Sequence, residues 1–203
     1  MSDLSVESIS ANYYDVLKEL GNIGAGNATT ALAQLLQCKL DMKVPQVRML
    51  EFKDVGAILG GEDNEMVGAY LGVEGDITGS ILFLVNKDVA MHFAEKMMMG
   101  YSSGEFGEME QSAFKEISNI ITGAYLNALS TLTNMCIYPT VPDLTIDMAG
   151  AILSVPAVEF GIYGDNILLI ETEISEEINI EGFFIMVPDI DSYEKILKSL
   201  GIM

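Results

Sequence analysis

The chain is poor in the residues that most catalytic and nucleic-acid-binding sites require. Its 203 residues include one histidine, two cysteines, no tryptophan, and 10 basic residues against 30 acidic ones. One histidine, His92, and two cysteines, Cys38 and Cys136, cannot form a zinc site or a histidine-based catalytic triad. The formal charge of −20 argues against nucleic acid or an anionic membrane as a partner, because both require clustered basic side chains. Proteins and small molecules remain as partners.

Long hydrophobic runs are also absent. No apolar stretch approaches the roughly 20 residues of a membrane-spanning helix, and the N-terminus lacks the basic start and apolar core of a secretion signal. We therefore expect a cytoplasmic protein that does not insert into a membrane. Because half of its residues are hydrophobic, the chain can bury one sizeable core or two small, intimately packed ones.

The sequence contains an internal repeat. "DVLKELGNIGAGNATTALA", from Asp15, resembles "SAFKEISNIITGAYLNALS", from Ser112, and the matching residues are 97 positions apart. Each half ends in a short amphipathic segment that starts with an aspartate, Asp88 or Asp191, and is closed by a glycine, as helix caps prefer. We expect an α+β fold with a pseudo-two-fold internal repeat (about 8–101 and 105–203). Each half would consist of a long helix, an antiparallel β meander and a closing helix, and residues 1–203 would pack as one domain.

The strands are predicted from short apolar runs that lie between turn residues. In the first half they fall near Gln46–Glu51, Gly56–Leu59, Met66–Val73 and Asp76–Val85. In the second half they fall near Leu144–Ser154, Val158–Tyr163, Asn166–Thr172 and Ile180–Val187.

Three glycines of the first repeat, Gly21, Gly24 and Gly26, raise the question of a phosphate-binding loop. Their spacing is G-x-x-G-x-G instead of G-x-G-x-x-G, no strand pattern precedes them, and no Lys-Ser/Thr pair follows. In the second repeat only the third glycine is kept, as Gly123. We therefore expect the glycines to permit close approach between this helix and its copy, or to mark a kink.

A row of polar residues recurs in the two repeats. Each row has Asp or Ser, then Glu and Asn at i+4 and i+7, on one helix face: Asp15, Glu19 and Asn22, and Ser112, Glu116 and Asn119. A proline follows each asparagine after 22 intervening residues, at Pro45 and Pro142. A single exposed Glu and Asn is usually a solvated surface, but duplication in register argues for a function.

The pattern [Asp/Ser]-x3-Glu-x2-Asn-x22-Pro, present twice, resembles that of the CheC family of bacterial chemotaxis phosphatases, which includes CheX and the phosphatase part of FliY. The resemblance covers nearly the whole chain, including "LKELGNIGAGNATTAL", "EISNIITGAYLNALS" and "LTIDM". Both motifs are complete, as in CheC, whereas CheX carries one. The chain has no room for the extra C-terminal domain of FliY. The resemblance implies an enzyme, a phosphatase that hydrolyses the aspartyl phosphate of the response regulator CheY.

The resemblance also implies roles for the repeated residues. Asn22 and Asn119 would position the attacking water, and Glu19 and Glu116 would pair with a lysine of the regulator. Supporting roles fall to Asp15 and Ser112, which would bond to nearby partner groups, and to Pro45 and Pro142, which would fix the turn into the first strand of each half. The chain itself would bind no cofactor or metal, because Mg²⁺ comes with the phosphorylated regulator.

A second partner is implied as well, the receptor deamidase CheD, whose binding stimulates the phosphatase. Asp147, in "DLTIDM", is the candidate contact, and the chain would be a monomer or a CheC–CheD heterodimer.

Two alternatives remain open. One is a non-catalytic adaptation or flagellar-switch scaffold that binds phospho-CheY, since FliM resembles this fold. The other is a nucleotide- or metal-dependent enzyme, for which the glycine spacing and the lone histidine give little support.

Overall fold

The computed structural model describes residues 11–44, 46–102, 104–160, 166–175 and 179–201. Within these residues the two halves of the chain have the same order of elements. The first half contains α1 (Ala11–Leu36), β1 (Asp41–Lys43), β2 (Val47–Glu51), α2 (Phe52–Ile58), β3 (Glu65–Gly75), β4 (Gly79–Asn86) and α3 (Lys87–Met97). The second contains α4 (Glu108–Thr133), β5 (Ile137–Pro139), β6 (Asp143–Met148), α5 (Ala149–Phe160), β7 (Asn166–Ser175), β8 (Asn179–Pro188) and α6 (Ile190–Ser199).

The strands of both halves form one antiparallel sheet. Its order in the described residues is β1-β7-β8-β4-β3-β5, with β2 also paired to β7 and β6 to β3. The hairpins β3–β4 and β7–β8 meet at the centre, where Phe83 lies opposite Phe184. The first two strands of each half pair with the hairpin of the other half. The α+β class with antiparallel pairing is confirmed, but the pairing differs from a meander contained within each half.

Both faces of the sheet are covered, because successive residues of a strand point to opposite sides. On β4, Ile81, Phe83 and Val85 pack in the core beneath α1 and α4, and the Phe83 ring lies 6.1 Å from that of Phe114 on α4. Leu84, between them in sequence, packs on the other side with residues of α2 and α5. The continuous apolar run of β4 is therefore the pattern of a central strand buried on both faces.

The long helices α1 and α4 have the same length, 26 residues, and end in the same way. Gln37 follows α1 with φ 52° and Asn134 follows α4 with φ 57°, a left-handed conformation that terminates helices. These two residues are 97 positions apart, which is the offset of the predicted repeat. At the start of α4 the side chain of Glu110 accepts a hydrogen bond from the Gly107 amide at 3.2 Å.

Some of the predicted strands are wrong. Gly56–Leu59 lies in α2 and its C-terminal cap, and the strand predicted over Leu144–Ser154 ends at Met148, where α5 begins. The prediction for Val158–Tyr163 overlaps the end of α5, while residues 161–163 lie outside the described residues. Short apolar runs do not reveal by periodicity whether they are strand or helix, and Pro156 inside α5 further disguises that helix.

The predicted caps of the closing helices are also corrected. Asp88 and Asp191 lie in the first turns of α3 and α6, whereas the N-caps are Asn86 and Asp189. The side chain of Asp189 accepts a hydrogen bond from the backbone amide of Ser192 at 2.7 Å. An aspartate two residues earlier therefore performs the function that the sequence pattern gives to Asp191.

Candidate functional site

The first polar row lies on the solvent side of α1. Asp15, Glu19 and Asn22 are all exposed. Leu20, next to Glu19 in sequence but about 100° around the helix, is buried in the core. The helix therefore presents the polar row outward because its apolar row is held against the sheet.

The second polar row lies on α4 in the same way. Ser112 and Glu116 are exposed and Asn119 is half-buried. Ile117, the neighbour of Glu116, is fully buried in the core beside the sheet. The two rows thus occupy corresponding faces of two helices of equal length.

The glutamates and asparagines of both rows have no partner among the residues that the structure describes. Within the described part of the chain, the side chains of Glu19, Asn22, Glu116 and Asn119 make no hydrogen bond and no ion pair. On each helix the glutamate and the asparagine stand one turn apart, so a second molecule can contact both together. The arrangement offers a carboxylate acceptor beside an amide that can both donate and accept.

The two helices that carry the rows are in direct contact at a glycine. A Cβ atom added to Gly24 of α1 would lie 2.3 Å from Cδ1 of Tyr125 on α4, so a residue without a side chain is required there. The Tyr125 ring stacks on Phe184 at 4.4 Å, and its hydroxyl lies 3.3 Å from Oγ1 of Thr172. The prediction that a glycine allows close approach of the helix to its copy is confirmed at Gly24.

Tyr125 is a buried anchor between the helices and the sheet. Burial raises the pKa of its hydroxyl to about 12, and the hydrogen bond with Thr172 lowers it only in part. The ring therefore stays neutral at physiological pH. Its contacts fix the spacing of α1 and α4, and with it the spacing of the two polar rows.

The third glycine of the motif has a different environment. Among the described residues, no atom lies within 4 Å of a Cβ atom added to Gly26 of α1 or to Gly123 of α4. Both residues lie one turn beyond the asparagine of their row, on the same helix face. Glycine inside a helix is about 1 kcal/mol less favourable than alanine, and neither packing nor a positive φ requires it at these two positions. The sequence pattern predicts helix contact or a kink for all three glycines, but Gly24 lies at a helix contact while Gly26 does not.

The remaining predicted residues are two prolines and Asp147. Pro142 is buried in the connection between β5 and β6, and Pro45 lies outside the described residues. Asp147 is exposed on β6, which pairs with β3 at the edge of the described sheet. Its Oδ1 atom accepts a hydrogen bond from the amide of Met148 at 2.8 Å, at the junction with α5.

Comparisons with known proteins show where this chain belongs. The CheC-like family matches residues 14–49, and the family described as chemotaxis phosphatase CheX matches residues 67–158. The CheY-P phosphatase CheC of Bacillus subtilis is 36% identical over 200 residues, which cover 95% of this chain and 96% of that protein. The chain belongs to the CheC family. The segment matched to the CheC-like family contains the first polar row, and the segment matched to CheX contains the second.

One further relative and two solved structures are also similar to this chain. The flagellar motor switch phosphatase FliY of Bacillus subtilis is 28% identical over 134 residues, which cover 63% of this chain and 34% of that protein. The crystal structure of Thermotoga maritima FliY superimposes with a TM-score of 0.75 at 23% identity, covering 96% of this chain and 98% of that one. A FliM middle domain from Vibrio alginolyticus gives 0.66 at 16% identity, with 91% and 99% covered. At these identities the two structures establish a shared fold.

Two features are absent from the described residues. No helix among them is both long and apolar enough to cross a membrane. No three histidine, cysteine, aspartate or glutamate side chains in the described ranges lie together as candidate metal ligands.

Proposed function

We propose that this CheC-family chain is a phosphatase that hydrolyses the aspartyl phosphate of the response regulator CheY, with one site on α1 and one on α4. One observation carries the proposal. Each long helix presents a glutamate and an asparagine that have no partner within the described part of the chain, and the chain is 36% identical to the CheY-P phosphatase CheC of Bacillus subtilis. Polar side chains arranged in this way are available to a second protein.

Asn22 and Asn119 are the proposed catalytic residues. The amide of each would accept one hydrogen bond from a water molecule and donate another. It would thereby hold the oxygen of the water in line with the scissile phosphorus–oxygen bond. That oxygen forms a bond to phosphorus, the bond to the aspartate breaks, and the products are inorganic phosphate and the free carboxylate. A neutral amide suits this position because a carboxylate would be repelled by the phosphoryl oxygens.

Glu19 and Glu116 are proposed to orient the regulator. Each lies about one helical turn before its asparagine, close enough for a single partner surface to contact both. A lysine of the regulator would pair with the glutamate and fix the angle at which the asparagine enters the site. The regulator supplies the phosphoryl group, the lysine and Mg²⁺, and this chain supplies no cofactor.

Asp15 and Ser112 are proposed to support these contacts, one turn further back on the same faces. Both are exposed, and an oxygen at this place can bond to partner backbone or side chains. Pro45 and Pro142 would act by fixing the chain direction after each long helix. Residues 1–203 would form a single unit, since β1 and β2 pair with β7 of the other half.

CheD is the second proposed partner, and the exposed edge at β6 is the proposed contact. Asp147 lies on this edge. Replacing it by lysine reverses the charge, so we expect the affinity for CheD to fall about tenfold or more. Titration of CheD into Asp147→Lys and wild-type protein measures this directly, and equal affinities would remove Asp147 from the contact.

The test of the phosphatase proposal is the rate of phosphate loss from aspartyl-phosphorylated CheY with Mg²⁺. Wild type is compared with Asn22→Ala, Asn119→Ala and the double variant, with and without CheD. We expect partial activity in each single variant and a loss on the order of 10²-fold in the double variant. Asn27→Ala, the same substitution at an exposed position of α1 about 140° around the helix from Asn22, is the matched control.

The same experiment decides between the enzyme and the scaffold. If wild type binds phosphorylated CheY but never accelerates its decay, the chain is a non-catalytic binder, the alternative that the FliM-like fold leaves open. If one single variant alone abolishes the acceleration, only one of the two rows is a working site.

A further inference from the structure

We infer that Gly26 and Gly123 are positions of backbone contact with the response regulator, where a side chain would hold Asn22 or Asn119 away from the phosphoryl group. The inference rests on the proposed phosphatase function and adds to it a steric requirement on the helix surface. It concerns how closely the helix must approach its partner.

The packing of the described residues does not explain why glycine stands at positions 26 and 123. Space for a Cβ atom is open at both positions, whereas at Gly24 it would meet Tyr125 at 2.3 Å and at Gly21 it would meet Val44 at 3.0 Å. Neither Gly26 nor Gly123 has a positive φ. Each lies well inside a 26-residue α-helix, where glycine is the least favourable residue other than proline.

The two glycines occupy equivalent positions of the repeat. They are 97 positions apart, as are the asparagines and the glutamates of the two rows. The glycine at position 24 is replaced in the second repeat by Ile121, so a glycine needed only for packing between the helices is not duplicated. The glycine that follows the asparagine by four residues is duplicated together with the residues proposed to act on the partner.

The side chain of asparagine is short. Its amide is joined directly to Cβ, so the helix backbone must come close to the regulator before the amide can hold a water beside the phosphoryl group. Gly26 and Gly123 follow their asparagines by four residues, about 6 Å along the helix axis and on the same face. A side chain at that place would project into the space that a closely docked partner surface occupies.

The experiment adds bulk at these two positions. Gly26→Leu with Gly123→Leu is compared with wild type for kcat/KM on phosphorylated CheY, and for affinity toward CheY activated by beryllofluoride, a stable phosphoryl analogue. We expect kcat/KM to fall about tenfold or more, because a displacement of about 1 Å at a reacting centre has an effect of this size. The smaller pair Gly26→Ala with Gly123→Ala should fall less, and its melting temperature should be equal to or higher than that of wild type.

A matched control uses Gln34→Leu with Thr131→Leu. These residues are exposed, are also 97 positions apart, and lie two turns beyond the glycines on the same two helices. The control pair should keep wild-type kcat/KM, which separates local bulk near the asparagines from a general effect of added leucines.

The outcomes of this experiment are distinguishable from those of the phosphatase test. If wild type accelerates phosphate loss and both glycine pairs match it, the contact inference is overturned while the phosphatase function stands. If the alanine pair loses activity only in proportion to a lowered melting temperature, the glycines serve the fold and the inference is again overturned. If wild type does not accelerate phosphate loss, both proposals fail.

Discussion

At the scale of single residues, two glycines on α1 stand two positions apart in opposite surroundings. Gly24→Ala would place a methyl group 2.3 Å from the Tyr125 ring, and we expect overpacking to lower the free energy of unfolding by about 1–3 kcal/mol. Gly26→Ala adds its methyl group in open space, and we expect it to raise the same free energy by about 0.5–1 kcal/mol. Urea unfolding of the two variants and wild type measures both. Changes of the same sign would contradict the packing described for α1.

Tyr125 provides a second test at this scale, through pH. Its pKa is raised by burial from 10.0 to about 12, so between these values the unfolded chain loses a proton that the folded protein keeps. The stability that the protonated Tyr125 hydroxyl contributes is therefore complete below pH 10. It is lost as the pH rises to 12, and the free energy of unfolding falls by up to about 3 kcal/mol. A variant that lacks only the Tyr125 hydroxyl isolates this contribution from other effects of pH on the protein.

Tyr125→Phe is that variant. At pH 9 it should be less stable than wild type by about 1 kcal/mol, because the hydrogen bond with Thr172 is lost. At pH 11.5 the deficit should disappear or reverse, because phenylalanine has no proton to lose. Urea midpoints at the two pH values measure the difference, and curves that stay parallel from pH 9 to pH 11.5 would show that Tyr125 titrates normally.

At the scale of elements, the start of α6 is set by Asp189. Partial burial alone would raise the pKa of Asp189, but hydrogen bonds from Thr78 and Ser192, together with the charge of Lys195, outweigh burial and lower the pKa. Asp189→Ala should reduce the free energy of unfolding by about 1–2 kcal/mol at pH 7. Asp191→Ala, in the first turn but not the cap, should cost less, about 0.3–1 kcal/mol.

The pH dependence of the cap follows from the lowered pKa. The stability that the ionised Asp189 contributes is complete well above the ordinary aspartate value of 3.8 and is lost as the pH falls through the lowered value. The difference between wild type and Asp189→Ala, measured by thermal or urea unfolding, should therefore shrink below pH 3.8. If Asp191→Ala destabilises the protein as much as Asp189→Ala or more, Asp191 is the N-cap, as the sequence pattern predicts.

The elements also show what could be predicted from the sequence. The two polar rows were predictable, because helical periodicity alone places Glu19 with Asn22 and Glu116 with Asn119 beside a buried seam. The helix α5 was not, because "GAILSVPAVEF" is apolar on nearly every side and contains a proline. The free space beside Gly26 could not be predicted from the sequence either, because it depends on which residues distant in sequence pack near this position.

At the scale of the whole molecule, the sheet joins the halves more closely than the repeat suggests. β1 and β2 of the first half pair with β7, while β5 and β6 of the second half pair with β3. The centre of the sheet is the contact between β4 and β8, and the residues on both of its faces are buried. A half on its own would expose these strand edges and the apolar faces that they carry.

We therefore expect neither residues 1–101 nor residues 105–203 to fold alone, although each contains one complete polar row. Circular dichroism melts of the separate fragments should show no cooperative transition, and an equimolar mixture should recover one, because each fragment supplies strands that complete the sheet of the other. The intact chain, melted alongside as the control, should unfold in one step. A cooperative melt from either fragment alone would show that a half is an independent unit. If both fragments fail to fold, the activity of one row can be isolated only by disabling the other in the full-length chain.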